Sequence, residues 1–208
     1  MSVSPAKENI LKKIRQALSH PTPQPFPQSE GQQSPFEPLR DDDAVIFAEK
    51  FSSLQGKFVF CDNTDELLKE LQHLSINNAW NNIYIEEDTV RKLLTGTISH
   101  YSDLASCDAS ITGCECLVAR TGSIVVSSKK GGRAASVYAP VHVTVAFSDQ
   151  LLPDIKESLL YLKKKYPGGL PSSISFATGP SRTADIEKTL VTGVHGPKEV
   201  YCFLVDIR

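Results

Sequence analysis

The 208-residue sequence has no surplus of either charge, because 22 Lys and Arg residues are balanced by 24 Asp and Glu residues for a formal net charge of −2. Neutralising a nucleic-acid backbone requires a strong basic surplus, so this balance argues against a nucleic-acid partner. No apolar run approaches the ~20 residues of a membrane span, and the first residues lack the apolar segment of a secretory signal. We therefore expect a cytoplasmic protein without a membrane span.

Cysteine is scarce and scattered, and the motifs of common enzymes are missing. The cysteines lack the C-x2-C pairs of zinc ribbons and the C-x2-C-x2-C run of bacterial ferredoxins. The sequence also lacks the nucleophile elbow of hydrolases, the phosphate loop of nucleotidases and the dinucleotide turn of dehydrogenases. We therefore expect no disulfide framework and no metal ion or cofactor bound by this chain. The five cysteines are Cys61, Cys107, Cys114, Cys116 and Cys202.

Composition divides the chain into three segments. Residues 1–19 are predicted to form an amphipathic helix, with Ile10 and Ile14 on its apolar stripe. Residues 20–38 contain six prolines and four glutamines, which predicts an extended linker. Residues 39–208 are predicted to form the folded domain. The helix is either a strap packed on its own domain or a docking element for a partner.

Helices and strands alternate along most of the predicted domain. This alternation favours βαβ units and a partly parallel sheet covered on both faces, which is an α/β fold. Helices are predicted over 43–54, 63–74, 86–94 and 153–165, and strands over 57–61, 81–85, 174–179 and 199–207.

The middle of the domain has a different pattern, with β-rich segments separated by short glycine-containing turns that predict hairpins. Glycines at such turns either let the backbone approach a ligand or supply the positive φ that the turn needs. The β-rich segments are 115–120, 123–128 and 137–147; the turns contain Thr121, Gly122 and Ser123, then Gly131, Gly132 and Arg133.

Residues 174–190 carry the most informative pattern for ligand binding. A predicted strand runs into a glycine turn and then into a short helix predicted after Pro180. Free N–H groups at such a turn, with hydroxyl and guanidinium donors, suit a phosphate or carboxylate, and open α/β sheets bind ligands at the carboxyl ends of strands. The same residues equally suit a simple helix cap. The candidate anion-binding residues are Gly179, Pro180, Ser181, Arg182, Thr183 and Asp185.

Two histidines stand out from the rest of the sequence. His195 lies between Gly193 and Gly196, in a loop closed by Pro197, where an imidazole suits a general base or a donor to an anion. His142 alternates with valines in a β-rich segment, which favours a hydrogen-bonded structural role. Neither histidine belongs to the H-E-x-x-H spacing of a metal site.

Three stretches of the sequence resemble the lactate-utilisation protein C family, the stand-alone form of the LUD domain. They read ITGCECLVARTGSIVVSS, APVHVTVAFSDQLLPDI and ATGPSRTADIEKTLVTGVHGPKEVYCFLVD, and they span about 111 to 206 in the expected order. The resemblance implies a three-layer α/β/α fold similar to the group of ribose-phosphate isomerases, glucosamine-phosphate deaminases and CoA-transferases. Members of the family are usually rich in alanine before the T-G turn. This chain differs there, because it has Cys114, Glu115, Cys116 and Arg120.

The resemblance also implies a function. It describes an accessory subunit that works beside two iron–sulfur proteins in oxidising L-lactate to pyruvate, so that iron–sulfur clusters belong to the partner subunits. In this hypothesis three segments, residues 179–185, 121–123 and 193–197, converge on a small organic anion, which the lactate carboxylate exemplifies. Arg182 clamps its carboxylate, the N–H groups of Ser181 and Thr183 orient it, and His195 accepts a proton.

Two other hypotheses remain open at this stage. The chain is alternatively an independent enzyme of the same fold group, resembling CoA-transferases, sugar-phosphate isomerases or formyltetrahydrofolate cyclo-ligases and acting on a phosphorylated or CoA substrate. Glu115 would then be its candidate nucleophile or base, by fold analogy alone. A third hypothesis is a regulatory sensor that binds an organic acid and signals through the first helix.

Overall fold

A computed structural model describes residues 5–19, 41–130, 132–186 and 189–207. The chain forms two compact units, residues 1–38 and residues 39–208. In the first unit, the predicted helix is present as α1 (Pro5–Leu18), with proline at its first position, where its missing N–H costs nothing. The proposed linker, residues 20–38, lies outside the described residues.

The second unit alternates helices and strands in the predicted manner. Its helices are α2 (Asp43–Ser53), α3 (Thr64–Asn77), α4 (Asp88–Leu93), α5 (Gly132–Tyr138) and α6 (Ile155–Lys165). Its strands are β1 (Lys57–Cys61), β2 (Ile83–Ile85), β3 (His100–Tyr101), β4 (Ala109–Thr112), β5 (Cys116–Val118), β6 (Ser123–Ser127), β7 (Val141–Phe147), β8 (Leu151–Leu152), β9 (Ile174–Ala177), β10 (Arg182–Ile186), β11 (Thr189–Thr192) and β12 (Glu199–Val205).

Side chains at the helix starts explain where the helices begin. Asp42 accepts a hydrogen bond from the N–H of Ala44 at α2, and Asn63 accepts one from Glu66 at α3. At α6, the Asp154 side chain accepts a hydrogen bond from the N–H of Ile155. These carboxylate and amide oxygens satisfy donors that have no partner within the helix.

Six parallel strands form the main sheet, in the order β1-β12-β7-β4-β2-β3. Four others form a second sheet in the order β8-β5-β6-β9, in which β6 runs antiparallel to both neighbours. One face of the parallel sheet packs on α3 and α4, and the other packs on α2 and the second sheet. The far face of the second sheet packs on α6. The α/β fold with a mostly parallel central sheet is confirmed.

Two local predictions are wrong. The short helix expected after Pro180 is the antiparallel hairpin β10–β11, in which Arg182 pairs with Thr192 and Thr183 with Val191. The cross-strand pairing supplies backbone partners that the sequence around the turn does not reveal. The hairpin turn expected at Gly131, Gly132 and Arg133 is also absent, because α5 begins at Gly132 and packs on β4, β6 and β7. Gly131 itself lies outside the described residues.

Candidate functional site

The amino ends of β1, β7 and β12 form one edge of the parallel sheet, and the predicted glycine segments gather around it. Two of these segments meet at the last turn of α2, which leads into β1. A Cβ added to Gly122 would lie 2.5 Å from the Phe51 nitrogen, and one added to Gly179 would lie 2.5 Å from the Leu54 oxygen. Both glycines also have positive φ, +60° and +106°, which favours glycine at these turns. Glycine is therefore required at each position by the backbone conformation and by the close approach of α2.

The third segment is tied to the second by backbone hydrogen bonds. The Ser181 N–H donates to the Pro197 carbonyl at 3.0 Å, and the Gly193 N–H donates to the Ser181 carbonyl at 2.9 Å. Gly196 lies so close to Ser181 that an added Cβ would stand 2.9 Å from the serine Cβ. We call residues 179–183 and 193–198 the amino-end loops.

These contacts change the chemistry expected of the turn. The Ser181 N–H is already bonded to Pro197, so it is not free to orient an anion. Thr183 belongs to the β10–β11 ladder opposite Val191. The turn also follows β9 of the second, mixed sheet and not a strand of the parallel sheet, so the rule that predicted a ligand there does not apply.

Three exposed, nitrogen-bearing side chains remain available on the amino-end loops. Arg182 and His195 are exposed, as an anion-binding role requires. The sequence analysis missed Lys198, which is also exposed and is the last residue of the second loop. A Cβ at Gly193, whose φ is +80°, would lie 2.2 Å from the Lys198 Cγ, so the lysine stem crosses the glycine. A glycine five residues before a lysine is too weak a signal to find this in a sequence.

Among the remaining residues of the predicted anion-binding set, Thr121, Gly122 and Ser123 interact within their own turn. The Thr121 and Ser123 hydroxyls are hydrogen-bonded to each other at 2.6 Å, and the Gly122 N–H donates to the Ala119 carbonyl. Pro180 is buried. The side chain of Asp185 lies outside the described residues.

Glu115 does not lie with the other predicted site residues. It follows the carboxyl end of β4 and is fully buried. Its carboxylate accepts hydrogen bonds from the Lys165 ammonium at 2.7 Å, the Ser127 hydroxyl at 2.5 Å and the Tyr166 hydroxyl at 2.8 Å. Burial alone would raise the pKa of Glu115, but these three donors outweigh it and leave the pKa below its ordinary value. A carboxylate so enclosed and bonded is well suited to holding α6 on β5.

His142 lies in the middle of the parallel sheet and is fully buried. The Thr112 hydroxyl donates to the Gly113 carbonyl at 2.8 Å, so the 2.9 Å contact with His142 must be donated by Nε2. Nδ1 then carries a lone pair and has no hydrogen-bond partner among the described residues. Burial lowers the pKa of His142 to about 4, which keeps the ring neutral. The hydrogen bond to Thr112 agrees with the structural role predicted for His142.

Two cavities lie at the opposite edge, where the parallel strands end. The first, of about 440 Å³, is lined by Gly113 after β4, Phe147 at the end of β7, and Tyr161. The second, of about 520 Å³, lies between Phe60 and the start of α2. Asp149 lines both cavities, and Asp42 and Asp43 line the second. Burial and the neighbouring charge of Asp42 raise the pKa of Asp43, as expected where carboxylates crowd together.

The cysteines act as core side chains. All five are buried free thiols. Burial raises the pKa of Cys116 to about 12 and that of Cys61 to about 11, so these thiols stay protonated. Within the part of the chain that the structure describes, no three His, Cys, Asp or Glu side chains are grouped to hold a metal ion. No helix in that part is long and apolar enough to cross a membrane.

Comparisons with known proteins agree with this architecture. A DUF162 family protein from Deinococcus radiodurans has a similar fold, with a TM-score of 0.58 and 21% identity over 81% of this chain and 99% of that chain. Proteins named Lactate utilization protein C are similar in sequence. The protein from Bacillus licheniformis is 35% identical over 101 residues, covering 47% of this chain and 42% of that protein. The protein from Halalkalibacterium halodurans is 37% identical over 104 residues, covering 49% and 45%.

The region that matches thus spans less than half the length of these curated relatives. The family model describes a longer part of the present chain, because residues 81–205 match the LUD domain. This match begins just before β2, includes the second sheet and both amino-end loops, and ends with β12. The chain therefore belongs to the LUD domain family.

Proposed function

We propose that this protein serves lactate utilisation as an accessory subunit that binds a small organic anion at the amino-end loops. Similarity to several proteins named Lactate utilization protein C supports the process, and the exposed Arg182 on these loops supports the ligand class. A guanidinium offers two parallel donors to a carboxylate, which fixes the orientation of a molecule as small as lactate. The exposed Arg182 is the single structural observation on which the anion site depends.

Oxidation of lactate to pyruvate removes two electrons and two protons, so the complete reaction needs an electron acceptor. In this proposal the acceptors are iron–sulfur clusters of partner subunits, and this chain supplies binding and orientation. In this proposal His195, on the same loops, accepts the proton of the lactate hydroxyl, and the two electrons and the proton from the second carbon pass to the partner subunits. The enclosed position of Glu115 does not favour the alternative of an independent enzyme that uses it as a nucleophile.

Titration of the purified protein with lactate and pyruvate, followed by calorimetry and thermal shift, tests the anion site. Binding of either acid raises the melting temperature because the ligand stabilises the folded state. We expect Arg182→Ala to weaken binding at least tenfold, whereas Lys69→Ala, a control on the exposed face of α3, leaves it within twofold. Absence of binding in the wild-type protein, or equal binding by R182A, contradicts the proposal.

The accessory role is tested by reconstitution with the iron–sulfur proteins of the same lactate system. We expect the three proteins to co-purify and to reduce an artificial dye in the presence of L-lactate, and we expect the rate to fall when this chain is omitted. His195→Gln should lower this rate more than it lowers lactate affinity. An unchanged rate without the chain overturns the accessory role.

A further inference from the structure

The cavity of about 440 Å³ lies at the carboxyl ends of two neighbouring strands of the parallel sheet. Gly113 follows β4, and Val145 and Phe147 are among the last three residues of β7, which pairs with β4. Ligands of open α/β sheets bind outside the carboxyl ends of the strands, and volumes of roughly 300 to 1,000 Å³ are typical of small-molecule sites. We call this space the β4–β7 cavity.

Hydrogen bonds between neighbouring segments hold the wall of the β4–β7 cavity in place. The Gly113 N–H donates to the Glu87 carboxylate at 2.7 Å, which ties the end of β4 to the residue before α4. The Gln150 side chain accepts a hydrogen bond from the Phe147 N–H at 2.9 Å and donates one to the Cys114 carbonyl at 3.0 Å. The cavity is therefore preformed, and the Gly113 N–H and both ends of the Gln150 amide are used within its wall.

Apolar and aromatic side chains make up most of the remaining lining. They come from α4, from the end of β7 and from α6, so they surround the cavity from three elements. Such a lining suits the hydrocarbon or aromatic body of a ligand. The residues that contribute these side chains are Val90, Leu93, Val145, Phe147 and Tyr161.

Asp149 is the single charged side chain among the described residues that line the β4–β7 cavity. It is exposed, and it forms no ion pair within the part of the chain that the structure describes. The Lys165 ammonium lies 5.3 Å from the centre of the Tyr161 ring, but it is paired with the Glu115 carboxylate at 2.7 Å. The cavity therefore carries an uncompensated negative charge, which attracts a cation and repels a carboxylate.

We infer that the β4–β7 cavity is a second binding site of this protein, which takes a protonated amine carried on an apolar or aromatic body. The body packs on the apolar lining, and the ammonium group lies against the Asp149 carboxylate. This site is separate from the proposed anion site, because it lies at the opposite edge of the sheet and selects the opposite charge. It gives a role to the edge that the lactate hypothesis leaves unused.

Three compounds that share a phenyl ring and a two-carbon chain separate charge from packing. They are 2-phenylethylamine, 2-phenylethanol and 3-phenylpropionate, and NMR titration at neutral pH and low salt measures their affinities for the full chain. We expect the amine to bind about fivefold more tightly than the alcohol and the acid about fivefold more weakly, which is the worth of one exposed charge pair. Added salt should narrow both differences, because it screens an exposed charge.

Asp149→Asn is the deciding variant, because it keeps the shape of the side chain and removes its charge. It should weaken the amine and strengthen the acid, bringing both to within twofold of the alcohol, whose own affinity should change by less than twofold. Asp42→Asn is the matched control. Asp42 is an exposed aspartate at the same edge, lines only the second cavity and keeps its capping role as asparagine. This control should leave all three affinities within twofold of the wild type.

Gly113→Ala tests the location of the site. An added Cβ would lie 3.6 Å from the Glu87 Oε1 and from the Val90 Cγ2, which is an ordinary contact, so we expect the variant to fold. The methyl group takes room between two lining residues and should weaken all three compounds to the same extent. Circular dichroism checks the fold, and Asp149→Asn alone decides the inference if the alanine variant is not folded.

The results that overturn this inference differ from those that overturn the anion site. A wild-type protein that binds none of the three compounds, or binds the acid as tightly as the amine, contradicts the amine site. An amine preference that D149N leaves unchanged, or a folded G113A variant that binds like the wild type, contradicts it as well. Lactate should not displace the amine, so the two sites are tested separately, and displacement would show that one site takes both.

Discussion

At the carboxyl ends of the parallel strands, two cavities are lined by Asp42, Asp43 and Asp149, whereas the amino-end loops at the other edge present Arg182 and Lys198. The carboxyl-end edge has the room that ligand sites need, but its charge repels a carboxylate. The amino-end edge has the charge, on loops whose glycines are used for close packing. The proposed anion site therefore depends on charge and departs from the usual location of ligands in parallel sheets.

Breaking the ion pair at the carboxyl-end edge gives the largest expected effect. Lys165→Met leaves the fully buried Glu115 carboxylate without its cation and should lower the free energy of unfolding by about 3 kcal/mol. Lys164→Met, on the neighbouring exposed position, should change it by less than about 0.5 kcal/mol. Urea unfolding measures both. Equal effects of the two changes would show that Glu115 does not hold α6.

The same pair predicts a pH dependence. The folded pKa of Glu115 lies below its ordinary value of 4.5, so its stabilising contribution is complete above that value. The contribution is lost as the pH falls through the lower folded pKa. In K165M the unopposed burial should raise that pKa, and acid unfolding should begin at a higher pH than in the wild type.

His142, near the amino end of β7, gives the next largest effect. Its pKa is lowered from 6.5 to about 4, so the unfolded chain binds a proton that the folded protein excludes. The wild-type protein should lose about 3 kcal/mol of stability from this group as the pH falls from 6.5 to 4. His142→Gln should flatten this part of the stability profile. An unchanged slope would show that the ring is protonated in the folded state.

A pair of glycines tests the packing at the amino-end edge. Gly179 and Gly96 both have positive φ, but an added Cβ at Gly179 meets the Leu54 carbonyl, whereas one at Gly96 meets nothing within 4 Å. Gly96→Ala should cost about 1 kcal/mol for the backbone alone. Gly179→Ala should cost about 1 to 3 kcal/mol more, because the end of α2 must move. Equal costs by thermal unfolding would contradict the close approach.

The smallest effect is expected when charge is removed from the carboxyl-end cavities, and this change tests which edge of the sheet binds the anion. Asp42→Asn retains a side chain that caps α2, and with Asp149→Asn it removes two charges from the cavities. The double variant should bind lactate within twofold of the wild type, since the proposed site lies at the other edge. A loss comparable to that of Arg182→Ala would place the anion in the cavities and reverse the comparison.

The sequence predicts those parts of the fold that depend on local patterns. Capping residues such as Asn63 and Asp154 and the apolar strands KFVFC and EVYCFLV mark elements that the structure contains. The segment after Pro180 was predicted as a helix because Thr183 and Asp185 resemble a helix start. Its actual partner, β11, is a cross-strand contact that no local pattern specifies.

The site was predictable only in part, for the same reason. Glycines at 122, 179 and 193 indicated turns, but the sequence does not show that the first two face the end of α2 and the third faces Lys198. Glu115 was a candidate for chemistry by fold analogy alone, and its partners, Lys165 and Tyr166, lie about fifty residues away in the sequence. Contacts of that kind arise from tertiary packing alone.

The position of β12 also bears on how the protein is made. This strand lies between β1 and β7, and the Lys57–Glu199 ion pair joins residues 142 positions apart. During synthesis the ribosome therefore releases β1 and β7 long before the strand that belongs between them exists. Until then both strands expose unpaired backbone edges, which are sites of mispairing. The parallel sheet therefore cannot be completed until residues 199–205 have been synthesised.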